Sequence, residues 1–205
     1  MKKLISLLLV FVMALSVMAG CAGNETAGNE TVGNESTEPD AVLPVVDAPA
    51  SALEVLENIW ALYGDDEKFP VMGGNPEGGV MDAPAVWDAE YLVNLSYSLQ
   101  LPEAQMEDVA DAASLIHMMN TNTFTGAVLH LNEGVDAATF ATDAKDSIMA
   151  AQWMCGFPEK LVIADLSGNY LLIAYGVGDA MGPFEAKLAE AYPSADILYS
   201  EAIAG

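Results

Sequence analysis

Between Tyr91 and Leu101 the chain alternates: Tyr91, Val93, Leu95, Tyr97, Leu99 and Leu101 are apolar, with Asn94, Ser96, Ser98 and Gln100 between them. A period of two predicts a half-buried strand. Upstream the spacing is helical. Ser51 and Glu54 form a capping box, and Leu53, Leu56, Ile59, Trp60 and Tyr63 recur every three to four residues until Gly64, which predicts a helix over 51–63. Residues 65–88 keep neither period and centre on Gly73-Gly74-Asn75-Pro76-Glu77-Gly78-Gly79, a long loop. Downstream, Pro102 at a first helical position, with Met106, Val109, Ala113 and Ile116 behind it, predicts a helix over 102–119. A strand is expected over 124–132 and a helix over 136–154, with Phe140, Ala144, Ile148 and Ala151 on one face. Strands 160–166 and 169–176 meet across Ser167-Gly168-Asn169 as a hairpin. A last helix covers 180–191, Pro193 stops it, and Ile197-Leu198-Tyr199 suggests a short final strand.

From Thr123 this order is strand, helix, strand, strand, helix, strand, the βαββαβ arrangement of ferredoxin-like sandwiches. The expected fold is therefore α+β, a mostly antiparallel sheet with helices on one face. The 91–119 strand-helix unit extends it, and helix 51–63 packs at an edge or on the other face.

The first residues follow another logic. Lys2 and Lys3 precede an apolar run from Leu4 to Val17, and Met18-Ala19-Gly20-Cys21 closes it with small residues before a cysteine. This reads as a lipoprotein signal over 1–20, with Cys21 expected as the acylated mature N-terminus. Residues 21–46 then form a spacer. It contains Ala22-Gly-Asn-Glu-Thr26, Ala27-Gly-Asn-Glu-Thr31 and Val32-Gly-Asn-Glu-Ser36, a five-residue unit too polar and glycine-rich to build a core. A single globular domain is expected over 47–205.

Charge narrows the partners. The chain carries 6 basic and 30 acidic residues, a net −24. Without residues 1–20, only Lys68, Lys145, Lys160 and Lys187 oppose all 30 acidic residues, a net −26. Nucleic acid is excluded as a partner, because counterion release from phosphates needs Lys and Arg. Membrane contact is left to the lipid on Cys21. With Cys21 acylated, Cys155 is the only other cysteine, so the core must hold the domain without a disulfide.

Three segments, His117-Met118-Met119-Asn120-Thr121-Asn122-Thr123-Phe124-Thr125, Gln152-Trp153-Met154-Cys155-Gly156-Phe157-Pro158-Glu159-Lys160-Leu161 and Asn169-Tyr-Leu-Leu-Ile-Ala-Tyr-Gly176, carry a resemblance. Over about residues 90–192 the chain resembles small lipoproteins of Gram-positive bacteria in the domain of unknown function 4358 family. The resemblance implies a lipid-anchored extracytoplasmic domain and supplies no catalytic residue.

The same segments hold the most suggestive chemistry. His117, Met118, Met119, His130, Met154 and Cys155 are soft-ligand types that favour copper(I) when they converge. His130 lies six residues along its strand, about 20 Å from the edge, whereas 117–119 and 154–155 are expected at one edge. A plainer account makes the methionines and cysteine gap-fillers, Asn120 and Asn122 turn residues, and Trp153 and Phe157 a cover for the turn closed by Gly156 and Pro158.

Three further constellations are weaker. Cys155 with His117 as nucleophile and base lacks an orienting third group. Gly176-Val177-Gly178 with Gly182 matches neither common phosphate loop, and reads equally as a strand end before an Asp179 helix cap. Asp65, Asp66, Glu67, Asp82 and Asp88 offer oxygen ligands for calcium without EF-hand spacing. No catalytic or cofactor motif is read. The expected role is a non-enzymatic, lipid-anchored binding or accessory module that meets an envelope protein, peptide or small ligand through the Gly/Pro loop and an uncovered sheet face. The alternative is a copper- or zinc-binding surface lipoprotein.

Overall fold

The computed structural model describes residues 48–204; the signal over 1–20, Cys21 and the spacer over 21–46 lie outside the described residues. The domain is an eight-stranded antiparallel sheet with helices on both faces. In chain order the elements are α1 (Ala52–Ala61), β1 (Val71–Gly73), β2 (Val80–Met81), β3 (Ala85–Val86), α2 (Leu92–Leu99), β4 (Val109–His117), β5 (Phe124–Leu131), α3 (Ala137–Ala150), β6 (Lys160–Asp165), β7 (Tyr170–Gly176), α4 (Gly178–Ala191) and β8 (Asp196–Ala202). Across the sheet the order is β2-β1-β4-β5-β7-β6-β8, with β3 also pairing with β4.

The segment 91–119 reverses the expectation. Its strand is α2, and its helix is a 3-10 stretch (Glu103–Asp108) followed by β4. Leu92, Leu95 and Leu99 fit a helical stripe as well as Leu95 and Leu99 fit alternation, and burial decides between the two. Leu95 and Leu99 are fully buried while Tyr97, between them, is 84% exposed. One helical face thus buries three leucines, each worth about 1.5–3 kcal/mol. Gln100 closes α2 in the left-handed conformation at φ 58. β4 carries no clean alternation because both its faces are covered: Ala112 packs on the α2–α3 side, Ala113 and Leu115 on the α1–α4 side.

Sheet order also explains the two-sided cover. From β5 onward the chain runs βαββαβ, but β8 lies beside β6 rather than beside β5, whose free edge is already taken by β4. The connections β5-α3-β6 and β7-α4-β8 therefore move the same way across the sheet from strands that run oppositely. Two crossovers of one hand must then lie on opposite faces. Accordingly Phe140, Ala141, Ala144 and Ile148 of α3 join the core with α2, and Met181, Phe184 and Leu188 of α4 join the core with α1. The expected helices on one face are corrected on this point. The uncovered sheet face expected as a contact surface does not exist at the centre, where β5, β6 and β7 are buried on both sides.

The 65–88 segment is built rather than loose. β1, β2 and β3 extend the sheet, and Gly73 sits so close to β3 that a Cβ would lie 2.2 Å from the Ala85 nitrogen. Trp87 donates its indole N–H to the Ser114 hydroxyl at 2.7 Å, and that hydroxyl also accepts from the Gly74 N–H at 3.2 Å.

The ends of other elements shift as well. α3 stops at Ala150, four residues early, because Ala151 is extended (ψ 142) and Trp153 turns its ring toward Tyr175, centroids 5.4 Å apart. The β6–β7 hairpin is as expected, with Ser167, Gly168 and Asn169 all at positive φ.

Candidate functional site

Where β4 ends and β5 begins, two loops touch. The first is the 118–123 turn. Within it the Asn122 N–H donates to the Asn120 side-chain oxygen at 3.0 Å, and the Thr123 N–H donates to the Asn120 carbonyl at 2.9 Å. The second is the 151–159 connection from α3 to β6. The Asn122 side-chain amide donates to the carbonyls of Gly156 (2.9 Å) and Cys155 (3.3 Å). Gly156, at φ 98, approaches Asn120 so closely that a Cβ would lie 2.6 Å from its amide nitrogen.

The contacts that join the two loops run from Asn120 and Asn122 to Cys155 and Gly156. The crossover expectation, in which helix 102–119 and helix 136–154 both end at this edge, is corrected, because 109–117 is β4 and α3 stops at Ala150. His130 is at the far end of β5, paired opposite Asp111. Its Nδ1 lies 2.8 Å from the Asp111 carboxylate and its ring stacks on Tyr170 at 4.3 Å.

The side chains on the two loops face outward. Met154 is 88% exposed, Met119 81%, Phe157 57% and Met118 41%, and Cys155 is exposed too. The plainer of the two expectations, methionines and cysteine as packed gap-fillers with Phe157 covering the turn, is corrected by this exposure. Phe157 stands between Gly156 and Pro158, where no helical or strand periodicity carries it inward, and that break was the available signal. Trp153 does pack inward, with its indole N–H buried and unpartnered among the described residues.

His117 is half-buried and structurally committed. Its Nδ1 accepts the main-chain N–H of Met119 (3.3 Å) and of Asn120 (3.2 Å), and its ring stacks on Phe69 at 6.0 Å. Holding the turn with Nδ1 leaves only Nε2 for any other partner.

The remaining candidates are occupied by internal contacts. The Gly178 N–H donates to the Glu159 carboxylate at 2.7 Å, and the Val177 N–H donates to the Thr123 carbonyl at 3.0 Å. A carboxylate thus stands where a phosphate would bind at the start of α4, and Asp179 lies in the first turn rather than at the cap. Glu67 accepts from Lys187 and from the Gly64 N–H, which hold its carboxyl below the usual range, and Asp88 is bonded to Asn75. Among the described residues no group of three or more His, Cys, Asp or Glu side chains is placed to hold a metal ion.

The lysines are likewise engaged. Lys68 lies over Trp60 at 5.7 Å, Lys145 pairs with Asp146, Lys160 with Glu185, and Lys187 with Glu67. A hollow of about 540 Å³ lined by Leu92, Val93, Met106, Glu103 and Glu107 brings together no nucleophile and base.

No protein-family model, curated protein or solved structure matches this chain. Among the described residues no helix is long and apolar enough to cross a membrane.

Proposed function

We propose that the chain is a non-enzymatic, lipid-anchored binding module of the extracytoplasmic membrane face and a relative of the domain of unknown function 4358 lipoproteins. Acylated Cys21 is the anchor and residues 21–46 give reach. The end of the sheet bearing Met118, Met119, Met154 and Phe157 is the contact surface for an envelope protein or peptide. The split βαβ order from β5 to β8 is read as a relative of the ferredoxin-like sandwich with its last strand moved to the opposite edge.

One observation carries the reading: four large apolar side chains are exposed on two loops that Asn122 ties together. Exposed apolar groups gathered on a rigid base mark interaction surfaces, and methionines adapt to varied partners. In the test, full-length chain is recovered from membranes with and without M119E/F157E. Both versions should carry lipid by intact mass and melt alike, and the substituted chain should lose the proteins retained by the parent. Equal retention would refute the surface, and an unlipidated mature chain would refute the anchor.

A second reading is a soft-metal site. It draws on the exposed sulfur donors Met118, Met119, Met154 and Cys155 on the same touching loops, and on His117 at the end of β4, whose Nε2 makes none of the contacts given for its ring. Copper(I) titration of the parent chain against H117A and C155S tests it.

A further inference from the structure

β8 forms a long free edge of the sheet. It spans Asp196–Ala202 and pairs with β6 alone; among the described residues no main-chain partner lies on its outer side. The opposite edge, β2, is only Val80–Met81. An unpaired strand edge offers a row of main-chain donors and acceptors to an incoming strand.

Three observations say what kind of strand it fits. First, a groove of about 370 Å³ runs between α4 and β8, lined by Val162, Leu188, Tyr192, Pro193 and Ile197, and Ile197 is 47% exposed. Second, Glu185 lines the same groove. One of its carboxylate oxygens accepts from Lys160 at 2.7 Å, while the other is buried without a partner. With Glu185 held by Lys160, the rest of the lining, which includes Val162, Leu188, Tyr192, Pro193 and Ile197, is a seat for an apolar side chain. Third, the edge is acidic at both ends, through Asp196 and Glu201; Lys145 stands over Tyr199 at 5.4 Å but is paired with Asp146, and the lysines at 68, 160 and 187 have their partners outside β8.

A second copy of the chain is a poor occupant. Pairing β8 with β8 would set Asp196 and Glu201 of two strongly acidic chains, each with 30 acidic residues, against one another.

We propose that β8 is a docking edge for an extended peptide carrying apolar and basic side chains. Its main chain pairs with β8, an apolar side chain seats beside Ile197 on the α4 side, and basic side chains on the opposite face meet Asp196 and Glu201. This site is separate from the methionine-bearing loops and stands or falls without them.

The test uses full-length chain in neutral detergent micelles and fluorescence anisotropy with three labelled peptides. One alternates valine and lysine over about nine residues, one alternates valine and glutamate, and the third is the lysine peptide N-methylated at alternate residues to remove its pairing N–H groups. The lysine peptide should bind and the glutamate peptide should not. N-methylation should weaken binding about tenfold or more, because only strand pairing needs those donors. D196K/E201K, at two exposed positions, should invert the preference, and M119E should leave it unchanged. No binding of the lysine peptide, equal binding of its N-methylated form, or an unchanged preference in D196K/E201K would overturn the proposal.

Discussion

The Asn122 side-chain amide donates to the Gly156 carbonyl at 2.9 Å, fastening the β4–β5 turn to the loop that follows α3. Neither loop has a hydrophobic anchor of its own at Met119 or Met154, so this bond fixes how the exposed methionines stand together. N122A should cost about 1 kcal/mol in a denaturant melt and raise hydrogen exchange over 154–157 specifically. Unchanged exchange in that loop would mean that other contacts position it.

Glycines at two positions should respond differently to alanine. At Gly73 the new Cβ would meet the Ala85 main-chain nitrogen at 2.2 Å, so β3 must move; at Gly134 there is open space but φ is 86. G73A should cost about 3 kcal/mol and alter the fluorescence of Trp87, whose indole is held by Ser114. G134A should cost about 1 kcal/mol with no change in emission. Similar losses for both would place the β1–β3 contact outside the cooperative core.

Two buried tyrosines make opposite predictions. Tyr175 donates its hydroxyl to the Ser98 carbonyl at 2.8 Å, whereas the Tyr63 hydroxyl is buried without a partner. Y175F should cost about 1 kcal/mol, and Y63F should be neutral or stabilising. Burial raises both hydroxyls above the ordinary value of 10.0, with Glu67 adding to the effect at Tyr63. Their contribution is therefore complete below pH 10 and lost as pH rises beyond it, so Y63F should also flatten the alkaline limb of the stability profile. An unchanged alkaline limb in Y63F would show that its hydroxyl does not titrate with unfolding.

On the acid side the sign reverses. Hydrogen bonding from Thr139, to whose N–H it acts as helix cap, lowers the Asp136 carboxyl from 3.8; the Gly64 N–H and Lys187 lower that of Glu67 from 4.5. Their contribution is present above those values and is lost as pH falls through the lower folded ones. D136N and E67Q should therefore flatten the acid limb below about pH 4, read by melts across that range. Profiles parallel to the parent would remove these two groups from the acid response.

The well-read parts of the sequence share one property: a single solution to burial. Helix 51–63, strand 124–132 and the hairpin around Ser167-Gly168-Asn169 each carry one period or an unambiguous turn, and each appears within two residues of its expected bounds. The 91–119 stretch has two solutions. Leu92, Leu95 and Leu99 suit a helix, the alternation around Tyr97 suits a strand, and only the three-dimensional cover decides. A sheet with both faces buried likewise erases alternation in β4, where Ala112 and Ala113 serve opposite cores.

For the candidate site, the loops holding Asn120, Asn122, Cys155 and Gly156 touch, but by way of β4 and an early end to α3 rather than the two helix ends expected. Exposure was not legible, because Met and Cys belong to cores by composition and only the arrest of α3 at Ala150 turns Met154, Cys155 and Phe157 outward.

The most direct measurement is photo-crosslinking in cells that make the lipid-anchored chain, with a photoreactive amino acid placed at Met119 or, for comparison, at Tyr97. Both positions are more than four-fifths exposed, at 81% and 84%, but only Met119 belongs to the proposed contact surface. A discrete adduct from Met119 and none from Tyr97 is the predicted result. No adduct from Met119, or equal adducts from both positions, would contradict a binding module that works through this end of the sheet.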